Sequence, residues 1–306
     1  MGHVMASSPT RGQAMPATDI VLAFLIVVLW GLNFVVMKFA ITEIPPFLLT
    51  GVRFALAAVP AVFIVPRSKV DWRYLLVYGT GFGIVQFGFM FTAFRLGMPA
   101  GLAAVLLQTQ AFLTIALAFL VLGERATRGQ VVGIGIAAVG VAVVIAGAAQ
   151  GATLLPVLLV MVAALGWGVA NIALKLARPS DILSFTVWTS LVSSLPMFAL
   201  SAATEGVDVW AASWAHLSWL GAAAVVYLAY PISLASGVIW GSLLSRYTAA
   251  TFAPFALVVP VVAMAAGAFL YQERLSGYGL AGSALVLVGL AVLILAGRRA
   301  MKPDVS

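Results

Sequence analysis

The sequence contains no cysteine, two histidines and nine acidic residues, and 8% of its residues carry a formal charge. The missing thiols exclude disulfide frameworks and thiolate metal centres. A soluble domain carries about 25% charged residues, so water is not the main solvent of this chain. The acids are Asp19, Glu43, Asp71, Glu124, Asp181, Glu205, Asp208, Glu273 and Asp304. All of them fall in loops, tails or the ends of apolar runs, as do His3 and His216. A buried proton relay uses Asp, Glu or His inside a bundle, and a zinc or di-iron site needs such ligands too. Neither is offered here. Ser and Thr likewise have no base beside them to make a nucleophile. The sequence calls for no metal and no cofactor, and an enzyme is a poor reading.

What is present is apolar sequence, 63% of the residues. A membrane-crossing helix needs about 20 mostly apolar residues. Ten such runs consume the chain: Ile20 to Ala40, Pro46 to Val65, Tyr74 to Phe94, Ala100 to Gly123, Gly129 to Ala149, Leu154 to Ala177, Ile182 to Ala203, Leu217 to Leu244, Ala249 to Tyr271 and Ser276 to Ala296. Pro45-Pro46, Gly97-Met98-Pro99 and Arg178-Pro179 punctuate them, each a poor helix interior. The runs lack the alternation of a barrel, and backbone groups in lipid must bond within their own segment. The expected fold is an all-α polytopic membrane protein of ten transmembrane helices. Met1 to Asp19 is polar and expected to be a disordered tail. The run after it is too long for a signal-peptide core and is expected to be the first retained span. Pro231, with Ser233 and Ser236, interrupts the eighth run. It predicts a kink, either a hinge that lines a cavity or a bend that merely fits packing.

The chain also repeats itself. Trp30-Gly31, Asn33 and Lys38 recur as Trp167-Gly168, Asn171 and Lys175, with both Trp and Lys displaced by 137 residues. Glu124-Arg125, Gly133 and Gly140 recur 149 residues later as Glu273-Arg274, Gly282 and Gly289. Internal duplication of apolar helices is a transporter pattern. It divides the chain into a tail (1–19), a first five-helix unit (20–149), a second (154–296) and a closing tail (297–306). Five spans per unit is odd, so the second unit enters the membrane inverted. With the N-terminus in the cytoplasm, eleven loop or tail Lys and Arg residues fall inside and only Arg95 and Arg274 outside. That bias predicts cytoplasmic termini. It also reads the net charge of +7 as a basic rim at lipid headgroups, not as a nucleic-acid surface.

Four stretches carry a family resemblance: LWGLNFVVMK (Leu29 to Lys38), MPAGLAAVLLQTQAF (Met98 to Phe112), SGVIWGSLLSRY (Ser236 to Tyr247) and LVVPVVAMAAGAFLYQERL (Leu257 to Leu275). They resemble the EamA family of the drug/metabolite transporter superfamily. Within it the likeness is to bacterial exporters of amino acids and their derivatives, such as those for cysteine and O-acetylserine or for aromatic amino acids. The resemblance implies ten helices in two inverted repeats, alternating access, and a multi-pass protein of the bacterial inner membrane whose partners are a small-molecule substrate and the lipid bilayer. Small multidrug pumps of the same superfamily use a carboxylate in their first span. The corresponding stretch here has Asn33 and no acid, so a uniporter or indirect coupling is expected.

Neutral polar and aromatic residues then remain as candidate substrate contacts. Trp30 and Asn33 share one face of the first span and Trp167 and Asn171 one face of the sixth, being three and four residues apart. Tyr78, Gln86, Gln108 and Gln110 in the third and fourth spans, and Tyr227, Ser233 and Trp240 in the eighth, add to the set. Amides and hydroxyls suit the ammonium and carboxylate of an amino acid, and ring faces suit its cation or side chain. The bland alternative is that buried amides tie helices together. Lys38, Arg53 and Lys175 are the cations within spans. Lys38 and Lys175 are expected either to snorkel or to gate. Arg53, seven residues into the second span, is the best carboxylate contact, though snorkelling also satisfies it. Trp72, Trp210, Trp214 and Trp219 are expected as interface anchors. The glycines of the fifth and tenth spans suit packing within one chain more simply than a dimer interface, and a monomer is expected. Gly79, Gly81, Gly83 and Gly88 are expected to let the third span flex. A broad drug exporter, or a membrane scaffold with no transport at all, gives the same hydropathy.

Overall fold

A computed structural model of the chain describes residues 16–148, 154–246, 255 and 257–300. Most of the N-terminal tail, the last residues of the C-terminal tail and the start of the ninth apolar run lie outside the described residues. All regular structure among the described residues is helical: α1 (Ala17–Glu43), α2 (Pro46–Val62), α3 (Trp72–Tyr78), π1 (Gly79–Gln86), α4 (Phe87–Arg95), α5 (Ala100–Leu107), α6 (Gln110–Leu122), α7 (Arg128–Ala148), α8 (Leu154–Ala177), α9 (Ile182–Thr204), α10 (Asp208–His216), α11 (Trp219–Tyr227), π2 (Leu228–Ala235), α12 (Ser236–Arg246), α13 (Val258–Tyr271) and α14 (Gly277–Ala300). Among the described residues, eight continuous helical stretches are long and apolar enough to cross a membrane, and Pro46–Val59 and Val258–Tyr271 are shorter apolar helices. The chain is a multi-pass membrane protein.

Local chemistry starts and stops these helices. Asp71 and Asp181 each accept a bond from the backbone N–H two residues on, at the starts of α3 and α9, and Pro46 occupies the first turn of α2. Gly123, at φ 67°, closes α6 in the left-handed region. Glutamates supply the caps that lie far off in sequence. Glu205 accepts from the N–H groups of Phe47 and Leu48 at 2.9 and 3.0 Å, at the start of α2. Glu43 accepts from Ser218 N–H at 2.9 Å, before α11. A helix start has unpaired N–H groups and a positive dipole end, and a carboxylate answers both.

Three expectations need correction. Ala17 to Asp19 belong to α1, with Asp19 buried in its first turn, so the tail is shorter than predicted; α14 likewise runs to Ala300. The short α10, between the seventh and eighth runs, was not predicted; nine residues are too few to show a period. Trp72, Trp214 and Trp219 are exposed as anchors should be, but Trp210 is half-buried and donates from Nε1 to Ser201 Oγ at 2.9 Å.

Among the described residues, α7 and α14 make the most extensive packing contact. A Cβ placed on Gly133 would lie 2.8 Å from the Gly289 carbonyl oxygen, and one on Gly140 would lie 2.7 Å from that of Gly282. The small faces therefore pack within the chain. The glycines of π1 also serve contact: a Cβ on Gly81 would lie 2.6 Å from the Gly166 carbonyl oxygen of α8.

Candidate functional site

The two π-helical stretches set the site. π1 and π2 are both eight residues long, and Leu228 follows Gly79 by the 149 residues that separate the two glutamate–arginine pairs. A π-turn bonds i to i+5, and such turns gather at functional sites. The irregularity expected at Pro231 takes this form, with Ser233 Oγ donating at 2.8 Å to the carbonyl of Leu228, five residues back. Side chains from the other half reach both stretches. Ser193 of α9 donates to the Gly79 carbonyl at 3.0 Å, and Arg53 of α2 donates from Nη2 to Ser233 at 3.0 Å. The fourth apolar run is also broken, at Gln108 and Thr109. Leu257, at the matching offset of 149, is again a turn residue.

Around π2, Trp30 Nε1 donates to Ser236 Oγ at 3.0 Å, and the Trp30 and Trp240 rings lie 4.9 Å apart. The Tyr227 hydroxyl donates to the Leu29 carbonyl at 2.6 Å. Around π1, the Tyr78 ring stacks on Phe82 at 5.4 Å and meets Phe185 edge-on at 4.9 Å. Phe82 meets Trp167 at 5.9 Å and Phe87 at 5.4 Å. The structure thus gathers Trp30, Tyr227 and Trp240 on one side and Tyr78 and Trp167 on the other. Asn171 donates to Gln110 Oε1 at 2.7 Å and to Thr114 Oγ1 at 3.1 Å, tying α8 to α6. Asn33 is buried, and its Nδ2 meets only Met37 Sδ, at 3.2 Å. Gln108 is half-buried in the break of the fourth run.

Phe82, Phe87, Phe54 and Ser236 were missed as site residues. Phe82 and Phe87 are five apart, and at 3.6 residues per turn such positions do not face one another. The π-turn brings them together, so an α-helical reading of the sequence hid the pair.

Arg53 does not snorkel. It is 1% exposed and has its guanidinium carbon 4.2 Å from the Phe87 ring centroid and 5.0 Å from that of Phe54. Among the described residues, Nε and Nη1 have no hydrogen-bond partner. An unpaired interior charge costs several kcal/mol even after relaxation, while a ring face returns about 0.5–2 kcal/mol. Two acceptors are orphaned as well, Gln86 Oε1 and Asn33 Oδ1.

The other two cations are each paired with a glutamate far off in sequence. Lys38 Nζ lies 2.5 Å from Glu273 Oε1, and Lys175 Nζ lies 2.5 Å from Glu124 Oε2. Lys38 lies in α1 and Glu273 just after α13; Lys175 lies in α8 and Glu124 just after α6. Glu273 also accepts from Ala100 N–H at 2.9 Å at the start of α5, and Lys38 sits 5.1 Å from the Tyr271 ring centroid. The first pair is sealed, with side chains 21% and 9% exposed, and the second is open at 51% and 49%.

Two apolar clefts flank this arrangement in matching places. One, of about 610 Å³, lies between α1 and π2–α12; the other, of about 430 Å³, lies between α8 and α3–π1. Pro231 and Ser236 line the first cleft and Gly81 the second, whereas none of the candidate substrate contacts lines either.

The EamA-like transporter family matches this chain over residues 18–146 and again over residues 154–295. A Salmonella typhimurium protein named "Probable amino-acid metabolite efflux pump" is 41% identical over 91% of this chain and 95% of its own length. An Escherichia coli protein with the same name is 39% identical over 94% of this chain and 99% of its own. A Streptantibioticus cattleyicolor protein named "Probable terminal-alkyne amino-acid exporter" is 28% identical over 82% of this chain and 81% of its own. One solved crystal structure, at 21% identity, superposes with a TM-score of 0.62 over 94% of this chain and all of its own, which is a likeness of fold.

Proposed function

This chain belongs to the EamA-like transporter family, and on that premise we propose that it exports amino acids or amino-acid-derived metabolites from the bacterial cytoplasm by alternating access. The proposed frame is ten membrane spans in two inverted five-helix units, 20–149 and 154–296, with both termini cytoplasmic and one chain as the working unit. The two separate family matches, the paired π-turns and the α7–α14 crossing support that frame. The names of the relatives near 40% identity support the substrate class.

One observation carries the alternating-access reading: the two lysine–glutamate ties occupy corresponding places in the two halves, yet only Lys38–Glu273 is withdrawn from solvent. An exchange of gates between the two faces needs such a pair, one closed while the other is loose. In the proposed topology the sealed tie is on the outer side, so this state faces inward. Lys38 and Lys175 are then gate residues through their glutamates. Trp30, Tyr227, Ser233 and Trp240 on one side, and Tyr78 and Trp167 on the other, border the proposed passage, with Asn33, Gln86 and Gln108 as its amides. Gln110 and Asn171 hold one wall together. Reconstitution in liposomes with labelled amino acids tests the reading: uptake of at least one of them is expected, and transport of none by sealed, folded protein overturns it.

A further inference from the structure

Arg53, Gln86 and Asn33 concentrate the unmet hydrogen-bonding capacity of the bundle interior. Of the five buried side-chain N or O atoms without a partner among the described residues, four belong to these three residues; Ser283 Oγ is the other. α1, which carries Asn33, α2, which carries Arg53, and α4, whose first residue Phe87 directly follows Gln86 of π1, pack on one another. Arg53 lies about 10 Å of helix rise past the start of α2, and at 1% exposure its guanidinium is held inside the bundle. Its neighbours are ring faces and one hydroxyl, none of which carries a negative charge. The two orphaned amide oxygens are acceptors only, so they suit a cationic donor.

Positive donors and neutral acceptors left open in adjacent helices match the two ends of a zwitterion. We propose that Arg53 is the carboxylate anchor of the transport site, held in place by Ser233 and the Phe54 and Phe87 rings, and that Gln86 and Asn33 receive the ammonium end. This rests on the exporter reading and narrows it: the cargo must present a free carboxylate. Arginine matches a carboxylate with paired, charge-assisted hydrogen bonds. Ser233 occupies only one hydrogen of Nη2, so the other can pair with Nη1 or with Nε on the substrate carboxylate. Because Ser233 belongs to π2, the anchor also links the bound carboxylate to the least regular part of the eighth span.

The test is discrimination by the unaltered protein. In liposomes, uptake of each of the twenty labelled L-amino acids is measured, and every one carried is competed with its own primary amide. The amide keeps the ammonium and the side chain but lacks the charge that Arg53 reads. Competition at least tenfold weaker than by the unlabelled acid is expected, and equal competition overturns the anchor while leaving the exporter reading intact. Transport of no amino acid sinks the exporter reading and the anchor with it. Arg53→Lys should retain part of the preference for the acid, and Arg53→Gln should lose it. A folded Arg53→Gln protein that still prefers the acid tenfold also overturns the proposal. If Arg53→Gln does not fold, Ser233→Ala, which frees the guanidinium, should narrow the preference; an unchanged ratio counts against the anchor.

Discussion

Lys38 closes on Glu273 across 235 residues of sequence, and the same glutamate accepts from the N–H of Ala100 at the start of α5. One carboxylate thus joins three helices. The corresponding pair in the other half, Lys175 with Glu124, is about half exposed.

Glu273→Gln should therefore lower the thermal unfolding temperature in detergent more than Glu124→Gln. The first change leaves a mostly buried ammonium uncompensated, at a cost of about 1–3 kcal/mol. The second breaks an exposed pair worth about 0–1 kcal/mol. Equal shifts would show that the two ties differ only in appearance.

Gly140→Leu should destabilise the α7–α14 crossing strongly, because a Cβ there already meets the Gly282 carbonyl oxygen at 2.7 Å. Overpacking of this kind costs about 1–3 kcal/mol. Gly135→Ala on the same helix meets nothing within 4 Å and should change stability by no more than about 0.5 kcal/mol. Unfolding curves of both variants check the contrast.

Asn171→Ala and Gln110→Ala should be non-additive. Their bond of 2.7 Å joins α8 to α6, and interhelical bonds in membranes couple by about 0.6 kcal/mol, at most about 1.7. A double-mutant cycle measures this directly, and a coupling of zero would place the two amides at the substrate instead.

Transport should proceed without an imposed pH gradient. The glutamates that act structurally, Glu43, Glu205 and Glu273, cap helix starts, and Asp19 sits in the first turn of α1. Uptake assayed with and without a gradient decides the point, and a strict requirement for one would mean that a carrier of protons lies among these groups.

Trp30→Phe should slow transport while leaving folding nearly unchanged. The ring contact with Trp240 survives, but the bond to Ser236 is lost. Initial rates set beside unfolding temperatures separate the two effects, and a loss of folding alone would mark Trp30 as a packing residue.

Much of the helix layout was legible because a bilayer makes the length of apolar sequence the governing constraint. The run from Leu154 to Ala177 coincides with α8, and Pro46 does begin α2. The short α10 escaped, since it is too brief to carry a periodic signal. The site was legible in part. The depth of Arg53 drew attention to it, but its partners did not, because Ser233 is 180 residues away. Phe82 and Phe87 could not be paired from a sequence read at the α-helical period.

The amino-acid sequence alone determined that this chain lives in a membrane as apolar helices and that its second half echoes its first. Hydrophobic length and repeated residues are local facts that need no partner. Only the tertiary structure decided which lysine meets which glutamate, which glycine lies under which carbonyl, and that Arg53 ends among aromatic rings with two nitrogens unmet. Those outcomes depend on how helices far apart in sequence come together, and no local pattern encodes the crossing.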